Sequence, residues 1–156
     1  MTTKDSIDVN FSWDGDFDID ETGDIADTSS DTILSLENEI RTIARSEIMD
    51  WEMHPILGAN LSDFRGEPNT RETAKAMEQQ LLSRIIAAGL VKQGDISIRI
   101  VPTGLYEVLI MIKVNVVATP TNRLQPGEEL VITFTYDSME DSVLFIETDQ
   151  LERSAR

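Results

Sequence analysis

The spacing of apolar residues in this chain changes once, and the change fixes the class of fold. Up to Ala88 they recur three and four apart; from Ile96 onward they recur at every second residue. The first spacing lays a stripe along a helix, and the second puts one face on a strand. Ile33, Leu36, Ile40 and Ile43 form the first stripe, behind the capping candidates Ser29, Ser30 and Asp31, and this helix should end near Ser46. Ala74, Met77, Leu81, Ile85 and Ala88 form the second, with Asn69 as N-cap, Glu72 at N3 and Gly89 as terminator. Alternation then runs through Ile96, Ile98 and Ile100, through Tyr106 to Val116, and through Leu130, Ile132, Phe134 and Tyr136. A last run, Val143 to Ile146, is apolar on both faces. Pro102-Thr103-Gly104 reads as a tight connection, and Thr119-Pro120 to Pro126-Gly127 as a longer loop. Helices followed by an antiparallel sheet make the class α+β, with two main helices packed on a C-terminal antiparallel sheet.

Two further stretches complete the layout. Ten of the 29 acids fall before position 32. There Phe17 and Ile19 alternate with aspartates, Glu21-Thr22-Gly23-Asp24 can turn, and Ile25 begins a second extended piece. This predicts an acidic N-terminal hairpin behind a flexible start over residues 1–13. Between the helices, Ile48 to Pro55 reads as a short hairpin or loop, because Pro55 and Gly58 break regular structure and a residue before proline is biased toward extended geometry. The 156 residues, 40% of them hydrophobic, have room for one domain with a core.

Charge and composition exclude several kinds of function. Twenty-nine acids against 13 bases give a formal charge of −16, which repels phosphate backbones and anionic membranes. Lys4, Lys75, Lys92 and Lys113 are the only lysines, so no lysine-rich patch can form and no nucleic-acid partner is expected. The same balance suits a protein that must stay hydrated at high salt. No cysteine is present, which removes disulfides, thiolate metal sites and thiol redox chemistry. No apolar run approaches the roughly 18 residues that span a bilayer, and MTTKDSIDVN carries no charged-then-apolar leader, so a soluble protein made in a cytoplasm is expected.

Candidate chemistry is sparse. Asp14, Asp16, Asp18 and Asp20 alternate as calcium ligands can, but a loop started at Asp18 has Ser29 at its twelfth position, where a bidentate Glu is needed. Solvated strand faces account for these acids, and no metal site is expected. His54 is the only histidine and has no HExxH-type neighbour. The Glu-x8-Asp-x5-Thr spacing of phage muramidases is half met by Glu128/Asp137 and by Glu140/Asp149, yet Val143 and Ala155 stand where the threonine belongs. No catalytic residue and no cofactor are assigned, and the chain is expected not to be an enzyme. The most unusual local feature is Glu67-Pro68-Asn69: Pro68 lacks an N–H, Asn69 caps the following helix, and Glu67 lies beside its favourable dipole.

The stretch Trp51-Glu-Met-His-Pro-Ile-Leu-Gly-Ala-Asn-Leu61, followed by Gly66-Glu-Pro-Asn-Thr70 and the long helix, resembles the sheath initiators, a baseplate wedge family of contractile phage tails and tail-like injection systems. Their order of an acidic hairpin, a helix, a proline–glycine turn, a Glu-Pro element, a helix and a sheet is matched over residues 14–117. The resemblance implies a structural protein of the tail baseplate, assembled in the host cytoplasm. It docks on the wedge core and nucleates the contractile sheath. The implied partners are baseplate wedge proteins, the first ring of tail sheath protein and, further off, the tail tube or hub. Many members carry Glu-Pro-Arg where the sheet begins; here Gln93-Gly94-Asp95 stands there, and Arg65 or Arg71 are candidates to compensate. Leu57 also replaces a frequent aromatic residue. Glu67, Pro68, Asn69, Arg65 and Arg71 are thus the expected wedge-binding residues. Strand addition to an exposed sheet edge is a physically reasonable way to attach sheath. On that basis Val131, Thr133, Thr135, Leu144 and Ile146 of the last strands are the expected sheath-binding residues. The alternatives are a baseplate muramidase acting on peptidoglycan and an unrelated small acidic binding module.

Overall fold

A computed structural model describes residues 9–12, 16–27, 32–115 and 129–146. Helix α1 spans Thr32–Arg45 and helix α2 spans Arg71–Ala87. Strands β1 (Ile96–Pro102), β2 (Glu107–Asn115), β3 (Glu129–Asp137) and β4 (Ser142–Ile146) form one antiparallel sheet in the order β1-β2-β3-β4. The α+β class and the order of its parts are those the periodicity predicts.

One face of the sheet carries the core. The alternation places Ile96 and Ile98, Val108 to Val114, Leu130 to Tyr136, and Phe145 toward the helices, where all are buried. Ile40, Ile43 and Ala44 of α1 and Met77, Leu81 and Ile85 of α2 close over them. Each such Leu or Ile contributes about 1.5–3 kcal/mol by leaving water. Phe134 and Phe145 pack as a tilted pair with ring centroids 4.9 Å apart, which holds the short last strand to the core. Tyr136, fully buried on β3, donates its hydroxyl to the Leu61 carbonyl at 2.7 Å and lies 2.9 Å from Asp141 Oδ1. Burial, and then the Asp141 carboxylate, push its pKa well above the usual tyrosine range.

The cap of α2 differs from expectation. Thr70, not Asn69, is the N-cap; its Oγ1 accepts from the Thr73 amide at 3.2 Å. Glu72 falls in the first turn as expected, one position nearer the cap. Asn69 lies one residue too early, and its side chain is used elsewhere. Gly89, at φ +77°, stands after the C-cap Ala88 as predicted. The proposed caps Ser29, Ser30 and Asp31, together with Val116 and the 119–127 loop, lie outside the described residues.

The linker between the helices is a loop of turns, with the Met49 amide donating to the Pro55 carbonyl at 3.0 Å. Gly58, at φ +151°, lets it pass against α1's end, since a Cβ there would lie 2.5 Å from the Glu47 carbonyl carbon. Gln80 of α2 donates to the carbonyls of Ala59 and Asn60, both at 2.9 Å, and pins the loop's end. Leu61–Phe64 then forms a 3₁₀ turn.

The acidic hairpin is present, with Ile19 bridged to Ile25 across the turn. Within the stretch expected to be flexible, Val9 bridges Asp27 and Phe11 bridges Phe17; residues 1–8 and 13 lie outside the described residues. Asn10 fastens this piece by accepting from the buried amide of Asn38 on α1 at 3.0 Å and donating to Asp18 at 2.8 Å. The aspartates serve their own backbone. Asp16, Asp18 and Asp24 each accept from the next amide. Bonds from the Thr22 hydroxyl, and then from the Asp24 and Thr22 amides, hold Asp20 below the usual carboxylate range.

Candidate functional site

The Glu67 segment and the sheet meet at one end of the molecule. Antiparallel pairing brings the β1–β2 and β3–β4 turns side by side, with the Ser138 amide donating to the Tyr106 carbonyl at 2.9 Å. The Gly66 amide donates to the Ser138 carbonyl at 3.1 Å. Asn69 Nδ2 reaches the carbonyls of Gly104 at 2.7 Å and Glu107 at 2.8 Å, so the start of α2 is tied to both turns. Asn69 is thereby a latch of the fold. Glu67, Pro68, Arg65 and Arg71 are all exposed around it, leaving their side chains available to a partner. Met49, Met53 and Ile56 of the preceding loop are also exposed, the last by 70%. That loop is joined to the 3₁₀ turn by Ser62 Oγ donating to Glu47 Oε2 at 2.7 Å.

The last strands divide differently from the expectation. Val131, Thr133 and Thr135 do lie on the face opposite the core. However, over Thr133–Asp137 β3 is an inner strand with β2 on one side and β4 on the other, so that stretch offers no open edge. Thr133, flanked by Met111 and Ile146, is only 2% exposed. Thr133 is therefore withdrawn as a contact residue. The edge belongs to β4, where Leu144 is 57% exposed and Ile146 half-buried on the outer face. The described part of this strand spans Ser142–Ile146.

Hydrogen-bond parity decides which amides of β4 face outward. The bond from Ser138 to Tyr106 makes that pair a hydrogen-bonded one, and antiparallel ladders alternate strictly. Val108, Ile110, Ile112 and Val114 therefore bond to β3, and the odd-numbered residues of β3 bond to β4. With Thr135 opposite Leu144 and Thr133 opposite Ile146, the amides of Leu144 and Ile146 point into the ladder. Those of Val143 and Phe145 point away from it. Among the described residues no strand pairs with that side.

The other edge is interrupted at one end. The Thr103 amide donates to the Glu107 carbonyl at 3.0 Å, which sets the same parity on β1 and turns the Ile96, Ile98, Ile100 and Pro102 nitrogens outward. Proline lacks an N–H, so Pro102 fits this edge without costing a ladder bond, while the Ile96, Ile98 and Ile100 amides still face outward. Pro102 signals this edge in the sequence, but only once the strand order is known.

The carboxylates weighed for hydrolysis are placed in part. Asp137 Oδ1 accepts from the amides of Met139 and Glu140 and so shapes the β3–β4 turn. Glu128 and Asp149 lie outside the described residues. His54 is exposed in the interhelical loop, its amide bonded to the Trp51 carbonyl at 3.0 Å. Among the described residues no group of three or more acids and histidines is placed to hold a metal ion, and no helix is long and apolar enough to cross a membrane. Compared with known protein families, curated proteins and solved structures, the chain finds no match.

Proposed function

We propose that this chain is a structural component of a contractile-tail baseplate that docks on the wedge core and starts the sheath by accepting a strand at β4. The observation that carries this reading is the open edge of β4, with the Val143 and Phe145 amides turned outward. Affinity in strand addition comes from main-chain bonds, and side chains set the register. The resemblance to sheath initiators supports the assignment, because the acidic hairpin, the helices, the Glu-Pro element and the sheet follow in that family's order. Exposed Glu67, Pro68, Arg65 and Arg71 form the wedge-facing surface, at the end of the molecule where both sheet turns gather.

Parity supplies a paired test. Val143→Pro removes an outward donor and leaves the β3–β4 ladder whole, whereas Leu144→Pro removes a ladder donor. Purified baseplates carrying Val143→Pro should be assembled and folded by circular dichroism, yet grow at least about tenfold less sheath, the ratio for some 1.4 kcal/mol. Leu144→Pro should loosen β4 itself. Normal sheath growth on folded Val143→Pro baseplates would overturn the reading.

A further inference from the structure

On the sheet face opposite the helices, burial is set by neighbours within the sheet. The register lays two rows of side chains across that face. Val101, Leu109, Thr135 and Leu144 make one row, and Arg99, Met111, Thr133 and Ile146 the next. Inside the rows the side chains shield one another: Thr133 is buried, and Leu109, Met111 and Thr135 are half-buried. At the ends the shielding stops, and Val101 is 45% exposed and Leu144 57%. Leu144 has Thr135 beside it on β3 and, among the described residues, no strand on its other side.

The two ends differ in chemistry. At β1 the rows finish in Val101 and the charged Arg99; at β4 both finish in aliphatic residues, Leu144 and Ile146. A strand added at β4 would turn Leu144 and Ile146 from end residues into inner ones, as Leu109 and Met111 now are. Its own outward side chains would then continue the rows. Apolar ones gain by covering Leu144, whereas polar ones would lose water there without finding a partner.

Parity fixes how closely these side chains meet. The amides of Leu144 and Ile146 point toward β3, so each would face an added antiparallel strand in a non-hydrogen-bonded pair. Cα atoms in such pairs are about 4.5 Å apart, and the side chains are closer than in hydrogen-bonded pairs. Short, branched aliphatic side chains fill that space on a pleated surface.

We infer that the strand received by β4 carries two β-branched aliphatic residues, separated by one position, that face away from the helices opposite Leu144 and Ile146. This inference rests on the strand-addition reading and adds the pattern by which the edge selects its strand. The pattern also sets register, because a slip by one residue would carry the aliphatic pair to the other face.

The probe is a set of three fluorescent nine-residue peptides in which serine alternates with isoleucine, alanine or glutamate. Wild-type protein should bind the isoleucine peptide at least about tenfold more tightly than the alanine one, the ratio for about 1.4 kcal/mol. Leu144→Lys changes an exposed side chain and keeps its amide in the ladder, so it should fold normally by circular dichroism. It should lose most of the isoleucine preference and bind the glutamate peptide several-fold more tightly than wild type does. Val143→Pro should weaken all three peptides alike. Equal binding of the isoleucine and alanine peptides, still lost in Val143→Pro, overturns this inference and leaves strand addition standing. An isoleucine preference unchanged in folded Leu144→Lys places the contact elsewhere and overturns it too. Binding indifferent to Val143→Pro, or no binding of any peptide, overturns strand addition and this inference with it.

Discussion

Removing the Tyr136 hydroxyl should show how the interhelical linker is held to the sheet. Tyr136→Phe keeps the ring, so the fully buried site gains no cavity of consequence. What is lost is the 2.7 Å donation to the Leu61 carbonyl and the 2.9 Å approach to Asp141. Asp141 is exposed and can turn to water, whereas Leu61 is buried in the 3₁₀ turn. The cost is thus mainly that of one buried acceptor left without a donor, about 1–3 kcal/mol. At about 2–4 °C per kcal/mol for a chain of this size, the melting temperature should fall by several degrees. The pH dependence gives a second readout. The folded protein holds the Tyr136 proton above its ordinary pKa. This stabilisation is complete below about pH 10 and is lost as pH rises through the folded value, because the unfolded chain ionises first. Urea unfolding at pH 8 and pH 11 should therefore show a larger alkaline loss in wild type than in Tyr136→Phe. A variant as stable as wild type at pH 8, with the same alkaline slope, would refute the reasoning.

Two further predictions concern the Glu67 segment. Asn69→Ala and Asn69→Asp should destabilise alike by about 0.5–1.5 kcal/mol, read by thermal melts, because a carboxylate cannot donate to Gly104 and Glu107. If Asn69 were the cap, aspartate would serve nearly as well. Glu67→Ala should change stability by less than about 0.5 kcal/mol, since its side chain is exposed, while blocking incorporation into baseplates. A variant that unfolds would make Glu67 structural, and one that incorporates normally would remove it from the wedge surface.

The parts legible in the sequence were those set by period. Ile40 and Ile43, the Met77–Leu81–Ile85 stripe and the alternating strand residues are all buried. Periodicity does not tell which donor a polar residue will choose. Asn69 and Thr70 both suit a cap, and only the approach of the β1–β2 turn assigns Asn69 to Gly104 and Glu107. Asn10 with Asn38, and Gln80 with Ala59 and Asn60, are pairs 28, 21 and 20 residues apart that carry no local signal. The candidate edge was half legible. Alternation gives the face of each side chain, but the direction of an amide depends on neighbours, so β3 read alone looks as available as β4. Thr133, polar in an outward position, is buried because Met111 and Ile146 flank it.

Amide hydrogen exchange at β4 tests the central claim most directly. In the free protein the Val143 and Phe145 amides should exchange faster than those of Leu144 and Ile146, which point into the ladder with β3. In baseplates bearing the first ring of sheath, Val143 and Phe145 should slow by at least about tenfold as their donors find partners, with Leu144 and Ile146 little changed. Val143 and Phe145 amides that remain as fast in the sheathed particle as in the free protein would contradict the account.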